Sequence, residues 1–148
     1  MKEQWRIRKA EAGDSVGLQA CMEAAYAPYT SRMGGKHLPP MDIDYSLEIE
    51  NFPCWVADIN GTVAGGIIMM FEKEYASIAN IAVHPEFQGM GLGAGLMDFA
   101  ISKAKEMNYS ELRLATHVLL TENISLYLHL GWSEISRDDL RVYFKKEI

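Results

Sequence analysis

An α+β (mixed α/β) fold follows from three observations on this 148-residue chain. Its apolar residues switch between a period of two, which marks half-buried strands, and a period of 3.6, which marks amphipathic helices. Asn60-Gly61 stands between two apolar runs, the strongest short-range mark of a β-hairpin. A glycine-rich loop, Gln88-Gly89-Met90-Gly91-Leu92-Gly93, joins the apolar run Ile78 to Val83 to a helical pattern over Leu92 to Met107.

Trp5-Arg6-Ile7-Arg8 alternates and predicts a first strand. Asp14 is placed to cap a helix whose apolar face runs Leu18, Cys21, Met22, Ala25 and Tyr29. A loop rich in Gly and Pro, Gly34 to Pro40, leads to a short helical pattern around Asp42 to Ile49. Strands are expected at Cys54 to Ile59 and Thr62 to Phe71, joined by Asn-Gly because both central residues of a type I′ turn need positive φ. Ala76 to Val83 reads as the third strand of an antiparallel meander, ended by His84-Pro85 since proline brings no N–H to a ladder. In the following helix Leu92, Leu96, Phe99, Ala100, Ala104 and Met107 share a face. Leu112, Leu114 and Thr116 alternate as a strand. Thr121 is placed to cap a short helix carrying Ile124, Tyr127, Leu128 and Leu130, which Gly131 stops. Trp132 to Ser136 and Leu140 to Lys145 close the chain as a hairpin. The order β-α-α-β-β-β-α-β-α-β-β holds one β-α-β crossover, centred on the glycine loop.

Composition narrows the function. Hydrophobic residues make up 49% of the chain, enough for one domain with a real core. The net charge of −6 argues against general nucleic-acid binding, which needs a basic field, and requires any anionic ligand to be held by local geometry. The N-terminal stretch Met1 to Arg6 shows no apolar core of signal-peptide length, and the longest apolar run, Val63 to Phe71, is too short to span a bilayer. No membrane attachment is expected, and the cytoplasm is the default compartment. Cys21 and Cys54 lack metal-type spacing and form no disulfide framework, so both read as small buried apolar residues. His37, His84, His117 and His129 form no close pair, and no metal site is expected.

The glycine loop promises an anion site. Without bulky β-carbons the backbone can be approached closely, and the helix behind it points unpaired N–H groups and its positive dipole end at whatever sits there. Gly89 to Ala94 also satisfies the dinucleotide pattern G-x-G-x-x-A, with Glu111 about 20 residues on. Against that reading, His84 to Gln88 separate strand from glycines, the motif lies behind an antiparallel meander, and only one further strand–helix unit follows. A Walker A loop is excluded because no Gly-Lys-Ser/Thr is present.

Three stretches together resemble the GNAT superfamily of acyl-CoA N-acyltransferases. Gln88, Gly91 and Gly93 fit its Q/R-x-x-G-x-G/A signature within Ala82 to Gly93. Leu126 to Trp132 is similar to its late tyrosine helix, ending in Gly and an aromatic residue, with Tyr127 36 positions after Gly91. Trp55 to Gly66 resembles its central hairpin. The resemblance implies one acyl-CoA N-acyltransferase domain over residues 1–148. Its fold would be a central, mostly antiparallel sheet of about seven strands with a splayed parallel pair, flanked by about four helices.

It further implies acetyl-CoA as acyl donor, with the backbone of Ile81, Ala82 and Val83 pairing the pantetheine amides as an added strand would. The amides of Gln88, Gly89, Met90, Gly91, Leu92, Gly93 and Ala94 would wrap the pyrophosphate. Many members carry an asparagine two turns before the tyrosine. Here Leu120 takes that slot and Asn123 stands one turn before Tyr127, on a shared face. Tyr127 is the candidate general acid toward the departing thiolate, and a main-chain N–H near Val83 the candidate oxyanion donor. The other reading of Tyr127 is an amphipathic core residue with its hydroxyl at the surface.

No general base is assigned. Glu72 and Glu74 read as solvated strand-edge charges ahead of a base role, His117 as a hydrogen-bonded structural histidine, and His84 as a turn residue. Tyr29 to Tyr45 is the region expected to set acceptor specificity. Tyr29, Arg32, Met33 and Tyr45 could line an acceptor pocket, with Arg32 on an acceptor carboxylate, or could belong to an ordinary loop. The expected activity is transfer of acetyl from acetyl-CoA to a primary amine of a small molecule or peptide. The alternative is a non-catalytic acyl-CoA-binding sensor of the same fold. Dimerisation through the last hairpin or the meander edge is common in the resembling family, which makes a homodimer one expectation for this chain.

Overall fold

Alternation and one tight turn build the centre of the fold. The computed structural model describes residues 4–148, so Met1 to Glu3, part of the stretch read for a signal peptide, lie outside the described residues. Asn60 and Gly61 both take positive φ, at 49° and 88°, and close the antiparallel hairpin of β2 (Cys54–Ile59) and β3 (Thr62–Phe71). β3 turns back into β4 (Ala76–Val83) through a bond from Glu72 N–H to Tyr75 O at 2.9 Å. With β1 (Arg6–Lys9), β5 (Glu111–His117), β6 (Ser133–Arg137) and β7 (Arg141–Glu147), they form a seven-stranded sheet of order β1-β2-β3-β4-β5-β7-β6. Every pairing with a given register is antiparallel except β4 with β5, the crossover expected around the glycine loop.

The described residues fall into two compact units. One runs to Met69 and takes in Asn80–Phe99; the other comprises Met70–Ala79 and Ala100–Ile148. β4 and α3 (Leu92–Glu106) contribute residues to both.

In the first unit, α1 (Ser15–Tyr26) and α2 (Tyr45–Asn51) bury Leu18, Met22 and Tyr45 against Cys54, Val56, Ile68 and Ala82. Asp14 stands at the α1 N-cap but does not cap it. Its carboxylate takes the Arg8 guanidinium at 2.7 and 2.9 Å and the Glu11 N–H at 2.8 Å, a charge-assisted set that outweighs a single cap bond. Tyr29 lies beyond α1, because Pro28 brings no N–H and the chain tightens into a 3-10 stretch over Ala27–Met33. α2 begins later than Asp42, at the point where the Asp44 carboxylate accepts from the Ser46 and Leu47 N–H groups. β1 is shifted one residue from the expected Trp5 to Arg8, pairing Arg6 with Asp58 and Lys9 with Trp55.

In the second unit β5 pairs with β7 from Glu111–Glu147 to His117–Arg141. α4 (Thr121–His129) follows β5, with Leu120 and not Thr121 at its cap position. Leu120 is buried, and the Thr121 hydroxyl bonds Glu122 instead. β6 is exposed along its whole length. No helix among the described residues is long and apolar enough to cross a membrane. Cys21 and Cys54 are buried free thiols, as their isolation in the sequence predicts.

Candidate active site

His84-Pro85 ends β4, and the chain makes one 3-10 turn over Pro85–Phe87 in which His84 Nδ1 accepts the Glu86 N–H at 3.1 Å. Gln88 is extended and its N–H, expected on the pyrophosphate, bonds Pro85 O at 3.4 Å to close that turn, while Gly89 and Gly91 both take left-handed backbone, at φ 86° and 80°. A Cβ at either would meet nothing within 4 Å, so backbone conformation alone demands glycine and the space over the loop is open. Main-chain bonding resumes with Gly95 N–H to Gly91 O at 2.9 Å. Among the described residues, the N–H groups of Gly89 to Ala94 meet no protein acceptor. That leaves a run of oriented donors at the positive end of a four-turn helix, which suits a diphosphate.

β4 prepares the approach to this loop. His84 N–H bonds Ala64 O on β3 at 2.8 Å, so alternation turns the main-chain groups of Ala82 toward β3 and those of Ile81 and Val83 to the opposite side. Consistent with this, the Ala82 carbonyl lies where it would sit 3.0 Å from a Cβ at Gly65. The parallel ladder to β5 covers only Ala76 to Ile78 against Leu112 to Leu114, although β4 runs on to Val83. Ala79 is exposed despite lying in a central strand.

Side chains from the helices meet β4 within the first unit. The Tyr26 hydroxyl donates to Ile81 O at 3.3 Å. Asn80, buried, donates through Nδ2 to the Tyr45 hydroxyl at 3.2 Å, and that hydroxyl donates to Pro40 O. Tyr45 is therefore an anchor between α2 and β4 and does not line a pocket. Its pKa is driven upward by burial. Sequence reasoning did not single out Tyr26, although its place four residues after Met22 and eight after Leu18 follows the buried stripe of α1.

Tyr127 and Asn123 stand one turn apart on α4 in the second unit. The Tyr127 ring is buried, with Trp132 at 5.9 Å and Phe144 at 5.8 Å between ring centroids. Its hydroxyl bonds no protein group among the described residues and keeps access to solvent. Burial pushes its pKa up, holding the proton. Asn123 Nδ2 donates to the Thr116 hydroxyl at 3.4 Å and so ties α4 to β5.

Tyr29 and Arg32 are brought together in the 3-10 stretch, the guanidinium 5.1 Å from the ring centroid. Glu72 and Glu74 are exposed. His117 Nδ1 accepts the Leu119 N–H at 3.1 Å, the structural use of that residue. Among the described residues no group of three or more His, Cys, Asp or Glu side chains is placed to hold a metal ion.

Comparison with known proteins gives this geometry its context. The model of the acetyltransferase (GNAT) family matches residues 18–132, spanning the hairpin, the glycine loop and the tyrosine helix. The chain belongs to the acetyltransferase (GNAT) family. Among curated GNAT relatives, it is 32% identical over 85 residues to an uncharacterized N-acetyltransferase, YjgM, of Escherichia coli K12, covering 55% of this chain and 51% of that protein. It is also 32% identical over 75 residues to the ribosomal protein bS18-alanine N-acetyltransferase of the same organism, covering 51% of each. The chain thus spans about half the length of the curated relatives it matches. Its fold is shared with the PaiA N-acetyltransferase of Thermoplasma acidophilum, solved with coenzyme A. The TM-score is 0.83 at 17% identity, over 98% of this chain and 99% of that one. A GNAT acetyltransferase of Elizabethkingia anophelis with acetyl-CoA bound gives a TM-score of 0.71 at 20% identity, over 99% and 100% of the two chains.

Proposed function

We propose that this GNAT chain is an N-acetyltransferase, acting as one domain, that moves acetyl from acetyl-CoA directly to a primary amine of a small molecule or peptide. One observation carries the reading: the N–H groups of Gly89 to Ala94 stand without protein acceptors on an open, left-handed loop that starts α3. Main-chain donors are indifferent to a net charge of −6, so an acidic chain can still grip a diphosphate there.

Bound acetyl-CoA supplies the thioester. The amides of Gly89 to Ala94 hold the diphosphate, and Ile81 and Val83 turn main-chain groups toward the pantetheine arm while Ala82 is spent on β3. The Val83 N–H serves the developing oxyanion. As the acceptor nitrogen bonds to the acetyl carbon and the carbon–sulfur bond breaks, the Tyr127 hydroxyl protonates the leaving sulfur. The proton lost by the amine returns to Tyr127 through solvent. Asn123 keeps Tyr127 at a set height on α4 through its bond to Thr116. Tyr29 and Arg32 are assigned to the acceptor side, where the guanidinium lies against the Tyr29 ring and the pair presents a cationic, aromatic face to an acceptor. The free thiols of Cys21 and Cys54 support a reducing, cytoplasmic compartment. The outer edge of β6, exposed with Ile135 and the neighbouring Leu140, supports pairing of two copies into a homodimer.

An acyl-CoA-binding sensor remains the second reading, favoured by two occupied groups: the Ile81 carbonyl taken by Tyr26, and the Asn123 carboxamide taken by Thr116. The two part on one experiment. Acetyl-CoA is incubated with the protein and a panel of primary amines, including peptides that begin with alanine, the acceptor named for the bS18 relative. The enzyme reading expects free thiol release to rise with at least one amine, together with the acetyl mass gain on that amine. No rise with any amine, while coenzyme A still raises the melting temperature, installs the sensor. Failure of coenzyme A to bind at all removes both.

A further inference from the structure

The loop is held from outside by a side chain that the reaction scheme does not use. Trp5 lies just before β1, whose pairing of Arg6 with Asp58 fixes where the ring can reach. Its indole Nε1–H donates to Met90 O at 3.1 Å, 85 positions along the chain. The ring lies against α3 at Gly95, where a Cβ would overlap Trp5 Cη2 and come within 3.0 Å of Cζ3 and 3.1 Å of Cζ2. Gly95 is thus the absence of a side chain that seats this indole.

A trans peptide is planar, and its C=O and N–H point opposite ways. Fixing the Met90 carbonyl toward Trp5 therefore fixes the Gly91 N–H in the opposite direction. The next carbonyl, of Gly91, is held by the Gly95 N–H at 2.9 Å. Gly91 at φ 80° is consequently pinned by bonds to both carbonyls that flank its Cα, within a run whose own N–H groups meet no protein acceptor. Left to itself, glycine would sample many backbone states, and ordering the loop on binding would cost free energy.

We propose that Trp5 is a positioning residue for the diphosphate-binding loop, its indole N–H setting the direction of the Gly91 N–H before the ligand arrives. This rests on the assignment of the Gly89 to Ala94 amides to the cofactor diphosphate. Trp5→Phe keeps an aromatic ring against Gly95 and deletes the donor. Titration with coenzyme A should show about fivefold weaker binding, the value of one net hydrogen bond. Pantetheine, which lacks the nucleotide diphosphate, should compete for both proteins equally well. A merely structural bond would lower the melting temperature and leave coenzyme A affinity alone, or weaken both ligands alike; either result overturns the proposal. Should Trp5→Phe fail to fold, Gly95→Ala dislodges the ring while keeping Trp5, and the same selective loss is expected. Wild-type protein that does not bind coenzyme A would overturn the loop assignment and this inference with it.

Discussion

The Tyr127 ring is enclosed by Trp132 and Phe144 while its hydroxyl keeps a path to solvent. Burial raises its pKa from the ordinary 10.0, because the phenolate is the form that loses most hydration. The sign matters for a general acid. A raised pKa keeps the hydroxyl protonated where an exposed tyrosine would ionise, and the acid is lost only when pH climbs past that raised value. The alkaline limb of the kcat profile should therefore lie above about pH 10. Tyr127→Phe should lower kcat by about 10²–10⁴-fold while coenzyme A affinity is kept, as calorimetry can check. Equal loss of stability and turnover would return the residue to a packing role. Its burial was only partly legible: Ile124, one turn before it, is half-buried, but Leu128 and Leu130, expected on the same face, are exposed. The open hydroxyl was not legible, because it depends on Trp132, just ahead of β6, and Phe144 on β7. Asn123 divides the same way: its shared face with Tyr127 follows from helical spacing, whereas Thr116 as its partner requires the tertiary fold.

Arg8 joins the first strand to two others of its unit's parts, the start of α1 through Asp14 and the end of β2 through Asp58. The hydrogen bonds from Arg8 are the main cause holding both carboxyls below their usual range. A carboxylate depressed in the folded state stabilises the fold above its unfolded pKa and loses that contribution as pH falls through the folded value. Arg8→Met should thus cost about 1–3 kcal/mol at pH 7, read from urea denaturation. The gap between the variant and wild type should narrow as the pH is lowered toward 3. A gap unchanged with pH would assign the loss to packing of the arginine stem. The strands of the central hairpin were readable residue by residue, since alternation and Asn-Gly are local signals. Helix starts were less so. Asp14 and Thr121 both suit a cap by type, but ion pairing claimed one and burial of Leu120 displaced the other.

Element order was enough to anticipate a mixed sheet with a single crossover, because short connections and one β-α-β unit leave few ways to order the strands. The family resemblance implied a splayed parallel pair, but the three-residue extent of the β4–β5 ladder was not readable, since pairing between strands far apart in sequence leaves no local mark. Nor was the seat of Trp5 on Gly95, for the same reason of distance along the chain. The two cysteines show what this means at the bench. Each lies sealed in the interior, 0% and 1% exposed, with its thiol pushed up to about 11 for Cys21 and about 12 for Cys54 by burial. At pH 8 neither carries thiolate, nor can an aromatic disulfide reach the sulfur. Native protein should accordingly give no colour with that reagent, so every absorbance count in a turnover trace comes from liberated coenzyme. Addition of denaturant should then reveal both sulfurs at once, which makes the same cuvette a gauge of how much protein was folded.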